Sequence, residues 1–173
     1  MARTLYVIGI GSNRRHGRYG SPHAVITAAA LALNGDGLLL LGATVAIETA
    51  ALGPAGRRFA NAAALIESAL PPPALLALLN KIEARFGRRR GRRWGARVLD
   101  LDILLWSGGR WRGKVHDRGL TIPHRGLWAR NFALGPAAEL VSGWRDPETG
   151  WTMAHRLARL RKRRPIDDTP ART

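Results

Sequence analysis

Asp100 and Asp102 stand one residue apart in the run Val98-Leu99-Asp100-Leu101-Asp102-Ile103-Leu104-Leu105. On a β-strand, residues two apart point to the same face. Two carboxylates held side by side repel each other. A divalent cation between them relieves that repulsion, and hard carboxylate oxygens suit Mg²⁺. The apolar neighbours predict a strand buried on much of both faces, where a free carboxylate is costly. The competing reading is a structural ion pair with nearby arginines. Seven arginines fall in the thirteen residues from Arg85 to Arg97. Guanidinium forks match phosphate oxygens. Metal-binding carboxylates beside phosphate-binding guanidiniums describe nucleotide phosphate chemistry.

The arginine segment Arg88-Arg89-Arg90-Gly91-Arg92-Arg93-Trp94-Gly95-Ala96-Arg97 admits two readings. A charge run is commonly a solvated surface, and that suffices for Arg89 and Arg92. Its glycines also suit a lid that closes over phosphates. Trp94 offers a flat apolar surface to a ring, or anchors the loop to the core. Phe59 and Asn61 share a strand face. An aromatic plane beside a carboxamide can stack on a heterocycle and read its hydrogen-bonding edge. Taken alone, the pair fits a core phenylalanine and a structural asparagine at least as well. His124 has its approach fixed by Pro123. Arg130 and Phe132 could complete a pocket beside it, though spacing does not require this. Gly11-Ser12-Asn13 is a turn and not a P-loop, because no Gly-Lys-Ser/Thr follows.

The elements that must position these residues are legible in outline. Leu5 to Ile10 reads as a strand ending at Gly11-Ser12-Asn13. Ser21 and Pro22 predict the cap and first turn of a helix reaching Leu33. Leu38 to Thr49 reads as one long strand, and Phe59 to Ser68 as another. Pro71-Pro72-Pro73 opens a helix with Leu75, Leu79, Ile82 and Phe86 on one stripe, stopped by Gly87. Val98 to Trp106 is the strand of the aspartates. Arg110 to Gly119 reads as a loop, and Leu120 to His124 as extended chain. A short helix is expected near Leu127 to Leu134 and a second over Trp151 to Leu160. The order strand-helix-strand-strand-helix-strand predicts an α+β sandwich with helices on an antiparallel-rich sheet. Residues 1–162 are expected to form one domain and 163–173 a basic, disordered tail.

Composition excludes several classes. The chain has 173 residues, 46% of them hydrophobic, enough for one ordinary core. No cysteine is present, which removes disulfides, thiol catalysis and cysteine-ligated metals. The longest apolar stretch, Leu38 to Ile47, is too short and interrupted to span a bilayer. A soluble cytoplasmic protein is expected. The net charge of +16 favours polyanionic partners without choosing among them.

The segment Arg93-Trp94-Gly95-Ala96-Arg97-Val98-Leu99-Asp100-Leu101-Asp102-Ile103-Leu104-Leu105 closely resembles a signature of the 6-hydroxymethyl-7,8-dihydropterin pyrophosphokinases of folate biosynthesis. Gly11-Ser12-Asn13, Leu52-Gly53-Pro54, Phe59-Ala60-Asn61-Ala62, Ile82-Glu83, Gly87-Arg88 and Leu120-Thr121-Ile122-Pro123-His124 follow the family's order along the chain. The likeness covers roughly residues 4 to 140. It implies a ferredoxin-like βαββαβ fold and transfer of pyrophosphate from ATP to a pterin hydroxymethyl group, with release of AMP.

The same resemblance implies roles for individual residues. Asp100 and Asp102 would hold two Mg²⁺ ions, with Arg88 and Arg97 neutralising phosphate charge. Glu83, Arg90, Arg93, Trp94, Thr121, His124 and Arg130 would surround the nucleotide. Asn61 would read the pterin edge, Phe59 and Phe132 would sandwich its ring, and Thr49 and Leu52 would complete the pocket. ATP and a pterin are then the expected partners of a monomer, with neither membrane nor nucleic acid. The chain departs from the family's prolines at Ala50, Ala51 and Ala96. Two rivals remain: a non-catalytic RNA-binding module, and a decayed homologue that binds nucleotide as a scaffold. The strands lack the interleaved aromatics of an RNA-stacking sheet. The aspartate pair, Arg97 and His124 oppose the second rival.

Overall fold

The computed structural model of the protein describes residues 3–50, 58–87, 97–113 and 119–163. The first strand, β1 (Thr4–Ser12), carries Tyr6, Ile8 and Ile10 to one side and Val7, Gly9 and Gly11 to the other. Helix α1 (Pro22–Ala32) starts as its sequence dictates: Ser21 Oγ accepts from the Ala24 N–H, and proline opens the first turn. Strands β2 (Leu38–Ala43) and β3 (Ile47–Thr49) precede β4 (Phe59–Ser68). Helix α2 (Pro72–Arg85) buries Leu75, Leu79 and Ile82, with Phe86 just beyond its end. Gly87 then takes a positive φ that suits glycine at a helix stop. Strand β5 (Asp100–Trp106) completes the main sheet.

Sheet order is β2-β4-β1-β5, with β3 also paired to β4, and every pairing is antiparallel. With α1 and α2 as the crossovers, this is the ferredoxin-like βαββαβ arrangement. Two layers flank the sheet. The α1 and α2 side encloses Tyr6, Ile8, Ile10, Ile66, Leu101 and Ile103. On the other side, Val7, Ala63 and Leu104 pack beneath α3 (Asn131–Leu140) and α4 (Met153–Arg163). A two-stranded ribbon, β6 (Trp111–Arg112) with β7 (Thr121–Ile122), lies in the connection to α3. Among the described residues, no helix is long and apolar enough to cross a membrane.

Several boundaries differ from the sequence expectation, each for a local reason. The long strand over Leu38 to Thr49 is two strands. Its register on β4 slips between Leu40 and Gly42. The Thr44 hydroxyl then accepts from the Ala63 N–H at 3.0 Å, where a ladder carbonyl would otherwise do so. The strand expected from Val98 begins at Asp100. The segment expected to be loop from Arg110 contains β6. The helix expected near Leu127 is a 3₁₀ turn, Leu127–Ala129, followed by the longer α3. Helix α4 starts at Met153 and runs to Arg163, one residue past the expected end of the domain; residues 164–173 lie outside the described ones.

Candidate active site

Among the described residues, the sheet face that carries α3 is covered over only part of its length. The segment leading into α3 lies against β5, where the His124 N–H donates to the Leu104 carbonyl at 3.0 Å, and α3 itself packs on β4 and β1 and reaches β2, where Leu140 approaches Gly42. Beyond it, the same face presents Phe59, Asn61, Gly11, Asp100 and Asp102, by strand alternation and register. One row across three strands reads Asn61, Gly11, Asp100. At Gly11, a Cβ would lie 3.5 Å from Asn61 Oδ1 and 3.9 Å from Asp100 Cβ. The glycine thus leaves a shallow floor between a carboxamide and a carboxylate. Two strand spacings separate those residues, about 10 Å between Cα atoms.

On the β4 side, Asn61 is buried, at 8% exposure. Its Nδ2 donates to Thr49 Oγ1 at 2.8 Å, which fixes the amide orientation. Oδ1 is left directed over Gly11. Phe59 lies two residues earlier on the same face and pairs with Thr49. Thr49, Phe59 and Asn61, which the resemblance assigns to one pocket, are thus neighbours on β3 and β4.

On the β5 side, Asp100 pairs with Gly11 and Asp102 with Gly9. Both carboxylates share a face, as the spacing predicted. The strand is not buried on that face, however: Asp100 is half-buried and Asp102 exposed. The apolar neighbours Leu101 and Ile103 belong to the opposite layer. A bulge between Val7 and Ile8 lets Leu104 and Leu105 both enter the α3 core. Arg97 Nη1 donates to both oxygens of Asp100 at 2.7 Å. The ion-pair and metal-ligand readings of Asp100 are compatible, since its side chain keeps 29% exposure beside Arg97.

Among the described residues, no group of three or more His, Cys, Asp or Glu side chains could hold a metal by itself. Mg²⁺ characteristically takes one or two carboxylates and completes its shell with water and substrate phosphates. Two adjacent carboxylates on an open sheet face fit that ion.

The structure also reveals anchors that the sequence reading left out of the site. Asn13 Oδ1 accepts from the Arg97 N–H at 2.7 Å, and the Asn13 N–H donates to the Arg97 carbonyl at 3.1 Å. Asn13 thereby extends the β1–β5 contact past Asp100 and fixes the arginine's backbone. Gly9 and Gly11 are the other omission. Two glycines on one face of an apolar strand were the available signal for a close approach or an open floor. Glu83 is 1% exposed, and its Oε1 accepts from the Leu101 N–H at 2.7 Å. It lies behind the aspartates, on the layer of α2, and holds the outer edge of β5.

A third group lies along the chain after β7. His124 Nδ1 accepts from the Gly126 N–H at 3.1 Å. That bond assigns the proton of a neutral imidazole to Nε2, which is then the ring's donor. The Arg130 guanidinium folds over Gly126, where a Cβ would come within 3.0 Å of Arg130 Cζ, and lies 5.9 Å from the centre of the Phe132 ring. His124, Arg130 and Phe132 are thus brought together beside β5. Thr121 sits on the small ribbon with its hydroxyl donating to the Gly119 carbonyl at 3.3 Å. The predicted site residues Leu52, Arg88, Arg90, Arg93 and Trp94 lie outside the described residues.

Residues 7–142 match the family model described as 7,8-dihydro-6-hydroxymethylpterin-pyrophosphokinase. Among curated relatives, a 2-amino-4-hydroxy-6-hydroxymethyldihydropteridine pyrophosphokinase from Synechocystis is 40% identical over 103 residues, covering 60% of this chain and 51% of the relative. One from Methylorubrum extorquens is 45% identical over 83 residues, covering 48% and 50%. The aligned stretch thus spans about half the length of these relatives. Among solved structures, an HPPK-DHPS in complex with substrates superposes with a TM-score of 0.68 at 12% identity, covering 94% of this chain and 44% of that one. The Plasmodium falciparum HPPK-DHPS with pteroate gives 0.64 at 11% identity, with coverages of 94% and 43%. These two likenesses concern the fold.

Proposed function

Because the chain belongs to the 7,8-dihydro-6-hydroxymethylpterin-pyrophosphokinase family, we propose that it transfers pyrophosphate from ATP to the hydroxymethyl oxygen of 6-hydroxymethyl-7,8-dihydropterin, releasing AMP, as a step in folate biosynthesis. The observation that carries this reading is the position of Asn61 and Asp100 on either side of Gly11. A flat bicycle fits over that glycine with its polar edge at Asn61 and its one-carbon arm towards Asp100.

Asn61 Oδ1 accepts from the pterin edge, because Nδ2 is already committed to Thr49. Phe59 supplies one aromatic face, and Phe132 the other. Leu52 joins Thr49 in the pterin pocket on the family resemblance. The hydroxymethyl oxygen attacks the β-phosphorus of ATP in line. As that O–P bond forms, the bond from the β-phosphorus to the α–β bridging oxygen breaks. The electron pair leaves with AMP, and the hydroxyl proton passes to solvent. Such displacement depends on positioning and charge neutralisation more than on covalent chemistry.

Arg97 is suited to share its guanidinium between Asp100 and a phosphate oxygen. His124 offers Nε2–H, and Arg130 a second cation beside it. Arg88, Arg90, Arg93, Trp94 and Thr121 are assigned to the nucleotide by the resemblance. Glu83 supports it from behind, by holding the strand of the aspartates. Asp100 and Asp102 are the residues that would hold Mg²⁺, which when bound neutralises the triphosphate and polarises the attacking oxygen. Every residue invoked comes from one chain, so a monomer suffices.

The test is a coupled AMP-release assay with Mg²⁺-ATP, with and without the hydroxymethyl-dihydropterin. Pterin-dependent AMP in step with pterin diphosphate is the expected result. Release of ADP, or AMP formation indifferent to the pterin, overturns the reading.

A further inference from the structure

The turn after α3 and helix α4 lie beyond the residues discussed so far, yet they close on the segment that carries His124, Arg130 and Phe132. Asp146 is fully buried. Its carboxylate accepts from the Arg156 guanidinium, from the Glu148 N–H at 3.0 Å and from the Thr149 hydroxyl at 2.7 Å. The Asp146 N–H donates to the Trp151 carbonyl, and the Gly150 N–H to the Asp146 carbonyl, both at 2.8 Å. The turn is a closed unit around one carboxylate.

Arg156 extends from that unit onto two indoles. Its Cζ lies 4.7 Å from the centre of the Trp128 ring and 5.8 Å from that of Trp151. Its Nε is buried without a hydrogen-bond partner among the described residues. The guanidinium is therefore held by one carboxylate and by the ring faces, which favour a planar cation. Trp128 belongs to the 3₁₀ turn Leu127–Ala129, midway in sequence between His124 and Phe132. The Leu127 N–H donates to the His124 carbonyl at 2.9 Å, and the Leu134 N–H to the Arg130 carbonyl at 2.9 Å. Trp128 thus stands between two backbone-anchored residues, adjacent to the Leu127 that holds the His124 carbonyl and two residues before Arg130, whose carbonyl starts α3.

We propose that Arg156, fixed by Asp146 and stacked on Trp128, is a positioning residue that sets the pose of His124, Arg130 and Phe132 and hence the affinity for both substrates. This rests on the function proposed above. Helix α4 is then part of the binding apparatus, acting from behind it. Its apolar residues Met153, Leu157 and Leu160 dock it on the α3 layer, so the clamp has a rigid mount.

The experiment compares the full chain with Arg156→Lys, Trp128→Leu and Trp128→Phe. Arg156→Lys keeps the charge beside Asp146 and loses the planar face. A core variant on the opposite layer, Leu75→Val, controls for loss of stability. Steady-state AMP release is measured well below each melting temperature. Arg156→Lys and Trp128→Leu are expected to raise KM for ATP and for the pterin about tenfold, a loss of binding of about 1.4 kcal/mol, with kcat changed much less. Trp128→Phe is expected to restore most of the affinity, and Leu75→Val to leave KM unaltered. KM values for Arg156→Lys equal to wild type, or shifted no more than in Leu75→Val, overturn the proposal. If the wild-type chain releases no AMP, the assigned function fails, and the clamp is judged by NMR. The His124 imidazole resonances, assigned with His124→Gln, should move in Arg156→Lys, and unchanged resonances overturn it.

Discussion

Asn13 and Arg97 are joined by a reciprocal pair of hydrogen bonds, side chain to backbone at 2.7 Å and backbone to backbone at 3.1 Å. The consequence is directional. Arg97 is pinned at its backbone while its guanidinium is free to lie between Asp100 and whatever occupies the open face. Gly11 and Ser12, expected to be a turn, continue β1, and the pairing makes Asn13, just past the strand, a fixed jaw for the strand of the aspartates.

Removing that jaw has a measurable effect. Asn13→Ala leaves the Arg97 N–H without its side-chain acceptor, at a cost of about 1 kcal/mol. The larger expected effect is on turnover, because Arg97 and Asp100 lose their common reference. Asn13→Asp retains the acceptor oxygen and should keep more activity than Asn13→Ala. Melting curves beside AMP-release rates check both. Wild-type rates in Asn13→Ala would show that the jaw is irrelevant to the reaction.

Two glycines on one strand face make opposite predictions. A Cβ at Gly9 would press on the Leu104 side chain at 3.1 to 3.2 Å, inside the α3 core. Gly9→Ala should therefore destabilise the fold by about 1–3 kcal/mol. At Gly11 the nearest atoms are at ordinary contact distance, and the space above is the proposed pterin floor. Gly11→Leu is expected to fold and to lose pterin binding while retaining nucleotide binding. Isothermal titration with each ligand separates the two, and equal loss of both ligands would place the pterin elsewhere.

How far these arrangements were legible in the sequence depends on whether a residue announces its partner. Ser21-Pro22 and the stripe Leu75, Leu79, Ile82 and Phe86 carry local signals, and both helices formed as expected. The Asp100 and Asp102 pair carries its own periodicity, so its shared face was readable. Its exposure was not, because the bulge that leaves Leu104 unpaired on β5, opposite Val7 and Ile8, decides which layer Leu104 and Leu105 enter. The split between β2 and β3 depends on Thr44 finding Ala63, a tertiary partner with no mark in the local sequence. Glu83 shows the same limit. A helix carboxylate near a nucleotide site suggests a ligand contact, but its bond to the Leu101 N–H appears only once β5 is laid beside α2.

The two aspartates should respond differently to substitution. Asp102 is exposed, so Asp102→Asn should shift the melting temperature by no more than about two degrees, the ~0.5 kcal/mol usual for surface substitutions. Asp100 is paired with Arg97, so Asp100→Asn also disturbs the arginine. Both variants should lose about 10²–10³-fold in kcat, corresponding to roughly 3–4 kcal/mol of barrier. Chelation of Mg²⁺ should abolish AMP release in the wild type, with recovery on adding the ion back. Retained Mg²⁺-dependent turnover in Asp102→Asn would remove that residue from the metal site.

The buried Asp146 sets an acid limit on the anchoring of α4. Burial by itself would raise its pKa. The hydrogen bond from Arg156 opposes this, with the Glu148 N–H, the Thr149 hydroxyl and the Arg156 charge, and together they hold the carboxyl below the usual aspartate value. A group depressed in the folded state contributes stability that is present above its unfolded pKa, about 3.9. That contribution is lost as pH falls through the lower folded value. Asp146→Asn leaves Arg156 without its charge partner in a largely buried position, a change expected to cost about 3 kcal/mol near neutrality. The gap in melting temperature between wild type and Asp146→Asn should therefore be wide and flat from pH 7 to about pH 5, and close as pH drops below about 4. Differential scanning calorimetry across that range measures it directly. A gap that stays constant to the lowest pH at which the chain remains folded would mean that the Asp146 charge contributes nothing, and that its hydrogen bonds alone hold the turn.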